Sequence, residues 1–334
     1  MTVVDSLDRP MRALRISVTD RCNFRCPYCM PRDKFGADFQ FLDRKEILTF
    51  EEIIRLAGLF VSAGVQKVRL TGGEPLLRHG LAKLVTGLAG IPGLRDLALT
   101  TNGSLLRDQA SDLRQAGLQR LTVSLDSLDP QRFRELSDAT TPLEQVLEGL
   151  EAATAAGFRD LKLNCVLKRG VNEEDILPLA AFARDHGHFL RFIEFMDVGT
   201  GNGWRMDKVV PAREVAALVH SHWPLERSEE GPHCVARHWR YLDGRGTLGT
   251  IASVTEPFCK GCDRVRLSAE GSLYTCLFAH QGLDLKTPLR EGATDAELMA
   301  LIEGCWRIRD DRYSELRTEG TANRPRVEMF HIGG

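Results

Sequence analysis

The chain has 334 residues, 43% hydrophobic and 27% charged, enough apolar material for one large domain or two ordinary ones. Its formal net charge of −2 gives the bulk surface no attraction for nucleic acid or membrane lipid, and no apolar run approaches the roughly 18 residues of a membrane span. The opening segment Met1–Arg9 holds two acids and no apolar stretch, so the expectation is a chain without a secretory or transit leader, working in the cytoplasm.

The first strand is expected at Leu14–Val18, and directly after it comes Cys22-Asn-Phe-Arg-Cys26-Pro-Tyr-Cys29, spaced C-x3-C-x2-C. Three thiolates on one short loop can hold three irons of a [4Fe–4S] cube and leave the fourth iron open to a small molecule. Spacing alone also admits a zinc site with a distant fourth ligand, or three unrelated thiols, although zinc sites more often show C-x2-C pairs and four ligands. A helix over Phe50–Ala63 leads into a second strand, Lys67–Thr71, which runs into Gly72-Gly73-Glu74-Pro75. Those glycines permit a turn whose N–H groups face a ligand; the motif is weak alone and informative because it lies at the same rim as the cysteines.

Further strands are expected at Leu97–Thr101, Leu121–Leu125, Leu161–Val166 and Leu190–Met196, separated by helical patterns that include Leu105–Ala116, Leu143–Ala156 and Glu174–Asp185. This rhythm predicts six βα units and a parallel sheet, short of the about 250 residues of a closed eightfold barrel.

Residues two apart in a strand share a face. One face collects Arg15, Ser17 and Thr19, then Arg69 with Thr71, Thr100 with Asn102, Thr122 with Ser124, Lys162 with Asn164, and Glu194 with Met196. The other holds Leu14, Ile16, Val18, Val68, Leu70, Leu97, Leu99, Leu121, Val123, Leu125, Leu161 and Leu163. A sheet between two helix layers would be apolar on both faces. The expected fold is therefore α/β, a partial (βα)6 TIM-like barrel over residues 1–200, with its outer face on helices and its inner face lining a wet cavity. One or two of the polar residues can merely satisfy strand ends, but not those of every strand. Active sites of such barrels lie at the C-terminal ends of the strands.

Gly199-Thr-Gly-Asn-Gly203 marks a boundary, and a C-terminal region, 201–334, is expected to close the barrel mouth. It contains Cys259-Lys-Gly-Cys262 and, after 13 intervening residues, Cys276. Zinc held with Cys276 and His280 fits this local spacing; Cys305 lies further along. In Asp263-Arg264-Val265-Arg266-Leu267, strand parity puts both arginines on one face beside that site. Arg15, Arg69, Lys162, Arg264 and Arg266 are then five cations able to point into one cavity of a nearly neutral chain. They suit phosphate oxygens, as of a triphosphate; the alternative is ordinary salt bridges to neighbours such as Asp126 or Glu194. Nine cysteines in a chain this long do not suggest a disulfide framework and point to a reducing compartment. Cys165, Cys234 and Cys305 stand alone and read as small buried hydrophobes. The terminal Gly333-Gly334 is either a carrier's activated end, a feature of small ubiquitin-like chains unlike this one, or a slim probe for a narrow site.

C-x3-C-x2-C after the first strand, followed by Gly-Gly-Glu-Pro, is the pattern of radical S-adenosylmethionine (SAM) enzymes. With Cys259, Cys262, Cys276, the Arg264–Arg266 pair, Arg191-Phe-Ile-Glu-Phe-Met-Asp-Val-Gly199, Asn202-Gly-Trp204 and the Gly-Gly tail, nearly the whole chain resembles the GTP 3′,8-cyclase family, which opens molybdenum cofactor biosynthesis. The resemblance implies two [4Fe–4S] clusters, on Cys22, Cys26 and Cys29 and on Cys259, Cys262 and Cys276. It implies SAM contacts at Tyr28, Gly73, Ser124 and Met196, and GTP contacts at Arg15, Arg69, Thr100, Lys162, Arg264, the backbone of Val265, and Arg266. In such enzymes SAM is cleaved on the first cluster to a 5′-deoxyadenosyl radical, which takes the ribose C3′ hydrogen of GTP held at the second. The C3′ radical attacks C8, and reduction gives 3′,8-cyclo-7,8-dihydroguanosine triphosphate. Arg264 or Arg266 would supply the final proton, and Gly333 and Gly334 would enter the active site. The resemblance also implies a flavodoxin- or ferredoxin-type electron donor, a product passed to cyclic pyranopterin monophosphate synthase, a monomer or homodimer, and no nucleic-acid or membrane partner. His331 departs from the pattern, which often has a small residue such as serine there. Three other readings compete. A peptide-maturing radical enzyme with an auxiliary cluster would not bind GTP, a zinc-stabilised binding protein would be colourless, and a simple electron carrier would leave the polar cavity unexplained.

Overall fold

The structure, a computed structural model, describes residues 3–228, 234–318 and 326–334. Six parallel strands follow one another in chain order: β1 (Ala13–Ser17), β2 (Lys67–Thr71), β3 (Asp96–Thr101), β4 (Arg120–Ser124), β5 (Lys162–Leu167) and β6 (Phe189–Glu194). Between them run α1 (Phe50–Ser62), α2 (Leu81–Ala89), α3 (Leu106–Gln115), α4 (Pro130–Ser137), α5 (Leu143–Ala155) and α6 (Ile176–His186). Local chemistry sets the ends of these helices. Thr49 and Glu52 form a reciprocal capping box at the start of α1, and Asp129 accepts the Arg132 N–H at the start of α4, where Pro130 has no N–H in need of an acceptor.

Beyond β6 come α7 (Ala212–His222), β7 (Leu225–Arg227), β8 (Arg237–Tyr241), β9 (Thr247–Ile251), β10 (Arg264–Leu267), β11 (Ser272–Tyr274), β12 (Leu283–Asp284), α8 (Lys286–Arg290), α9 (Asp295–Arg307) and α10 (Met329–Ile332). These strands extend both edges of the same sheet. β9 lies parallel beside β6 and β10 parallel beside β1, with antiparallel strands outside each. The order among the described residues is β12-β11-β10-β1-β2-β3-β4-β5-β6-β9-β8-β7. The two ends do not pair, so the partial α/β barrel expected from the sequence is the architecture found.

The two faces divide as the alternation requires. Leu14, Ile16, Val68, Leu70, Leu99, Leu121, Val123 and Leu163 are at most 1% exposed and share one apolar core with Ile53, Leu56 and Phe60 of α1. The last strand corrects the parity expected for it. Register pairs Lys162 with Phe189 and Asn164 with Arg191, so Arg191 is on the inner face. Glu194 follows Leu190 and Phe192 outward, where its carboxylate accepts the N–H groups of Ala212, Val254 and Thr255 at 2.8–2.9 Å. It ties α7 and the loop after β9 to β6 instead of facing the cavity. Of the three isolated cysteines Cys165 is buried, Cys305 is half-buried and Cys234 is exposed, so the last is no core residue.

Candidate active site

The loop after β1 carries Cys22, Cys26 and Cys29, all half-buried and free. It folds on itself, with the Cys29 and Met30 N–H groups both reaching the Cys26 carbonyl at 2.9 Å. The two glycines after β2 are there because this loop passes hard against them. A Cβ on Gly73 would stand 2.2 Å from the Arg21 carbonyl oxygen, and one on Gly72, at φ +150°, 2.5 Å from that of Thr19. Glu74 then bridges outward, accepting Thr101 Oγ1 at 2.7 Å, the Leu76 N–H at 3.0 Å and the Asn102 N–H at 2.7 Å. Burial pushes its carboxyl up to about 7 against those hydrogen bonds.

Burial suppresses the ionisation of all three thiols. Burial, then Glu74, pushes Cys22 up to about 12, and burial followed by the neighbouring thiols raises Cys26 and Cys29. Such thiols ionise when a metal takes the proton's place. Among the described residues no three His, Cys, Asp or Glu side chains converge as ligands of a single metal ion. The thiolates of a cube bind separate irons and stand apart. Three thiolates in each triad suit three irons of a cube, one apiece.

Four further residues are expected near the first triad. Tyr28 donates its hydroxyl to Asp126 Oδ2 at 2.7 Å, and burial raises the Asp126 carboxyl to about 6. Asn202 Nδ2 meets the Met196 carbonyl at 2.8 Å and the Tyr28 carbonyl at 3.5 Å, which brings those two together. Gly73 is pressed on the cysteine loop as described, and Ser124 pairs with Asn164 on the inner face of β4 and β5. Asn102, at the end of β3, holds Asn23 Oδ1 at 2.9 Å with its amide nitrogen 4.0 Å from Cys22 Sγ.

On the inner sheet face, register sets Arg266, Arg15 and Arg69 side by side across β10, β1 and β2. Arg69 donates to Thr100 Oγ1 at 2.9 Å and Thr122 Oγ1 at 3.0 Å. Lys162 lies next across the sheet from Thr122, and Arg191 donates to Asn164 Oδ1 at 2.9 Å. Among the described residues none of Arg15, Arg69, Lys162, Arg191, Arg264 and Arg266 is paired with an Asp or Glu side chain, and Asp96, beside Arg69, is taken by Arg120. Burial, then mutual repulsion, pulls Lys162 down to about 8, Arg191 to about 9, Arg69 and Arg266 to about 10, and lowers Arg15 as well. Like charges set opposite one another cost stability; a polyanion would offset that cost. Arg191 escaped the sequence reading, although Leu190 and Phe192 shared the parity given to Glu194 and were the available signal.

At the second triad, Cys259 lies in a single 3-10 turn, Cys262 just before β10 and Cys276 just after β11. Arg264 Nη2 approaches Cys262 Sγ at 3.5 Å. Burial raises the Cys262 thiol, but Arg264 and Arg309 outweigh it and bring it down to about 6. Arg264 is itself held up, because Cys262, Asp263 and Cys276 outweigh its burial. Cys276 is pushed up to about 11 by burial and Asp311.

The tail reaches the same place. Phe330 of α10 packs on Phe35, ring centroids 5.0 Å apart, in an apolar cluster with Met30 that Cys22 and Cys29 touch. His331 Nε2 pairs with Glu270 at 2.8 Å. Gly333, at φ +77°, lies where a Cβ would stand 2.2 Å from Thr71 Oγ1. Its carbonyl accepts from Arg266, and the Gly334 oxygen accepts from Arg15 Nη1 at 2.5 Å.

The profile of the Radical SAM superfamily matches residues 16–183, and that of the Molybdenum Cofactor Synthesis C family matches residues 188–315. The chain is 54% identical to a GTP 3′,8-cyclase of Acidothermus cellulolyticus, over 99% of this chain and 98% of the relative. It is 50% identical to one of Xanthomonas campestris (99% and 97%) and 45% identical to one of Staphylococcus epidermidis (99% of both). Among solved structures, Streptococcus suis SuiB bound to S-adenosylmethionine aligns at TM-score 0.64 and 15% identity, over 97% of this chain and 78% of that one. At that identity the likeness is one of fold alone.

Proposed function

The chain belongs to the GTP 3′,8-cyclase family of radical SAM enzymes, and from that premise we propose a role for each side chain of the site. The reaction is the conversion of GTP to 3′,8-cyclo-7,8-dihydroguanosine triphosphate, the first step of molybdenum cofactor biosynthesis, by a SAM- and [4Fe–4S]-dependent lyase. When bound, the two clusters and SAM supply the electron, the hydrogen abstraction at C3′ and an iron to anchor the guanine.

The protein's own part is binding, orientation and exclusion of water. Cys22, Cys26 and Cys29 hold the first cluster; Cys259, Cys262 and Cys276 hold the second. Tyr28, Gly73, Ser124 and Met196 receive SAM, with Asn202 fixing the Tyr28 and Met196 carbonyls. Arg15, Arg69, Thr100, Lys162, Arg264, the Val265 backbone and Arg266 receive GTP, and Arg191 joins them. The observation that carries this assignment is the row Arg266–Arg15–Arg69, three guanidiniums in register, Arg266 buried and Arg15 and Arg69 half-buried, with no Asp or Glu side chain among the described residues to balance them. Forked guanidiniums match phosphate oxygens. Two substrates fixed on opposite rims of one sheet face have their reacting atoms oriented in advance. The tail glycines narrow the space, and Phe330, 4% exposed, shields it from water. Of the two arginines near the second triad, Arg266 is the better source of the last proton, since burial and Arg264 lower its hold while Arg264 keeps its own.

We place the division between barrel, 1–200, and closing region, 201–334, at the glycine-rich stretch after β6. A flavodoxin- or ferredoxin-type donor supplies the electron, cyclic pyranopterin monophosphate synthase takes the product, and the chain acts as a monomer or homodimer in the cytoplasm. Among the described residues no helix is long and apolar enough to cross a membrane. The test is anaerobic: reconstitute with iron and sulfide, add SAM, dithionite and GTP, and look for 5′-deoxyadenosine and a GTP isomer by mass spectrometry. GTP-dependent formation of both is expected; 5′-deoxyadenosine with no GTP-derived product would overturn the substrate assignment.

A further inference from the structure

Away from the cationic sheet face, one group of charged side chains is almost wholly buried: Asp5 at 0% exposure with Arg9 and Arg309 at 1%. Burying charge costs several kcal/mol per ion even after relaxation, so what these three hold is informative. Asp5 Oδ2 accepts from Arg9 Nε at 2.6 Å and from Arg309 Nη1 at 3.0 Å, while its Oδ1 takes the Leu7 and Arg9 N–H groups at 2.9 Å. Both guanidiniums then reach the backbone of the second triad. Arg9 Nη1 donates to the Cys259 carbonyl at 2.9 Å, and Arg309 Nη1 to the Cys262 carbonyl at 2.9 Å. Arg309 Nε donates to the carbonyl of Thr275, the residue before Cys276, at 3.1 Å. Trp306 packs its ring on Arg309, 4.5 Å from the guanidinium carbon, and gives its indole N–H to the Arg9 carbonyl at 3.1 Å.

All three cysteines are thereby referred to one carboxylate near the start of the chain. They need it, because they arrive from two segments, the 3-10 turn that Cys262 caps and the far side of the hairpin where Cys276 lies. One donor is left over. Arg9 Nη2 is buried with no hydrogen-bond partner among the described residues. An orphaned buried donor on a side chain bound to Cys259 is unusual for a protein and suits an acceptor that the chain does not itself supply.

We propose that Asp5, Arg9 and Arg309 are positioning residues for the second cluster, fixing Cys259, Cys262 and Cys276 relative to one another. The segment before β1 is thus part of the apparatus that receives GTP. The inference rests on the two-cluster reading above, and its test separates the two. Asp5→Asn, Arg9→Lys and Arg309→Lys are reconstituted beside the wild-type chain. Iron content, the electron paramagnetic resonance (EPR) signal of the reduced protein with and without GTP, and GTP-independent SAM cleavage are then measured. Cleavage without GTP reports the first cluster alone. Expected is a fall from about eight irons per chain to about four, loss of the GTP-sensitive signal, and uncoupled SAM cleavage within about twofold of wild type. Arg9→Lys keeps the charge and loses only the forked reach, so it carries the test if Asp5→Asn does not fold. Variants that load about eight irons with an unchanged GTP-sensitive signal, or that lose both clusters in equal measure, overturn the inference. A wild-type chain that itself loads only about four overturns the two-cluster reading on which it rests.

Discussion

The loop after β1 brings Cys22, Cys26 and Cys29 together within eight residues and closes through its own backbone, whereas the second triad joins two segments, the Cys259–Cys262 turn and Cys276 beyond β11, braced by side chains from both ends of the chain. Their surroundings differ in the same sense. The first triad borders an apolar cluster of Met30, Phe35 and Phe330, with the buried Glu74 as a neighbouring acid. The second has guanidiniums on its thiols and carbonyls, and burial that would raise Cys262 is overcome until it falls to about 6. A local motif suffices where three thiols need only be brought together beside one small cofactor. A site that must also accept a highly charged substrate is built from cations, and cations have to be gathered from many elements.

The sharpest way to break this comparison is to remove one ligand from each triad. Cys22→Ala is expected to cut 5′-deoxyadenosine formation by more than about 100-fold, while Cys276→Ala leaves GTP-independent cleavage and loses the cyclised product by a similar factor. Equal losses of both products in the two variants would show that the triads do not divide the work. Next in size is the cation row. Arg69→Met is expected to raise KM for GTP by about 10–100-fold, since a hydrogen bond to a charged group contributes about 1.5–3 kcal/mol. Arg191→Met, away from the Arg266–Arg15–Arg69 row, should cost about tenfold or less. A larger effect at Arg191 than at Arg69 would move the triphosphate across the sheet. Smaller again is the tail. Gly333→Ala puts a methyl where Thr71 Oγ1 lies 2.2 Å away. Product formation per SAM cleaved should fall by about tenfold with cleavage itself intact; unchanged coupling would show that the tail does not enter the working site.

The parts of this arrangement that sequence made legible are those with short-range signatures. Alternation in β1 to β5 separated Leu14 and Ile16 from Arg15 because side-chain direction is fixed by the pleat alone. The cysteine spacing and the glycine pair lie within loops that touch each other. β6 failed at Glu194, because an acid at an apolar parity can serve backbone N–H groups of a distant loop, and only the pairing of Asn164 with Arg191 settles the face. β9 and β10 were not placed beside β6 and β1, since long-range parallel pairing leaves no mark in either partner's own sequence. Asp5 and Arg309 are 304 positions apart, and nothing near either residue signals the other.

The smallest expected effect concerns His331 in the tail. His331 and Glu270 form an ion pair at 2.8 Å, with Asp20 and Glu328 also facing the imidazole. Burial lowers the His331 pKa, but Glu270 outweighs it and the net shift is upward from 6.5; Glu270, which burial would raise, is held below 4.5 by His331. The clasp is therefore complete between 4.5 and 6.5, is lost as pH rises through the raised value of His331, and is lost at the acid end as pH falls through the lowered value of Glu270. The pair is partly exposed, so its contribution is modest. Coupling of SAM cleavage to cyclisation should fall about twofold to fivefold as pH rises past the folded His331 value. His331→Lys should hold the low-pH coupling across that range, and His331→Ser should be flat. Superimposable pH profiles of coupling in the wild-type and His331→Ser chains would show that the tail is seated by Phe330 packing and the Arg266 and Arg15 hydrogen bonds alone, and that the first triad's apolar neighbours, not a proton, control how the tail meets the second.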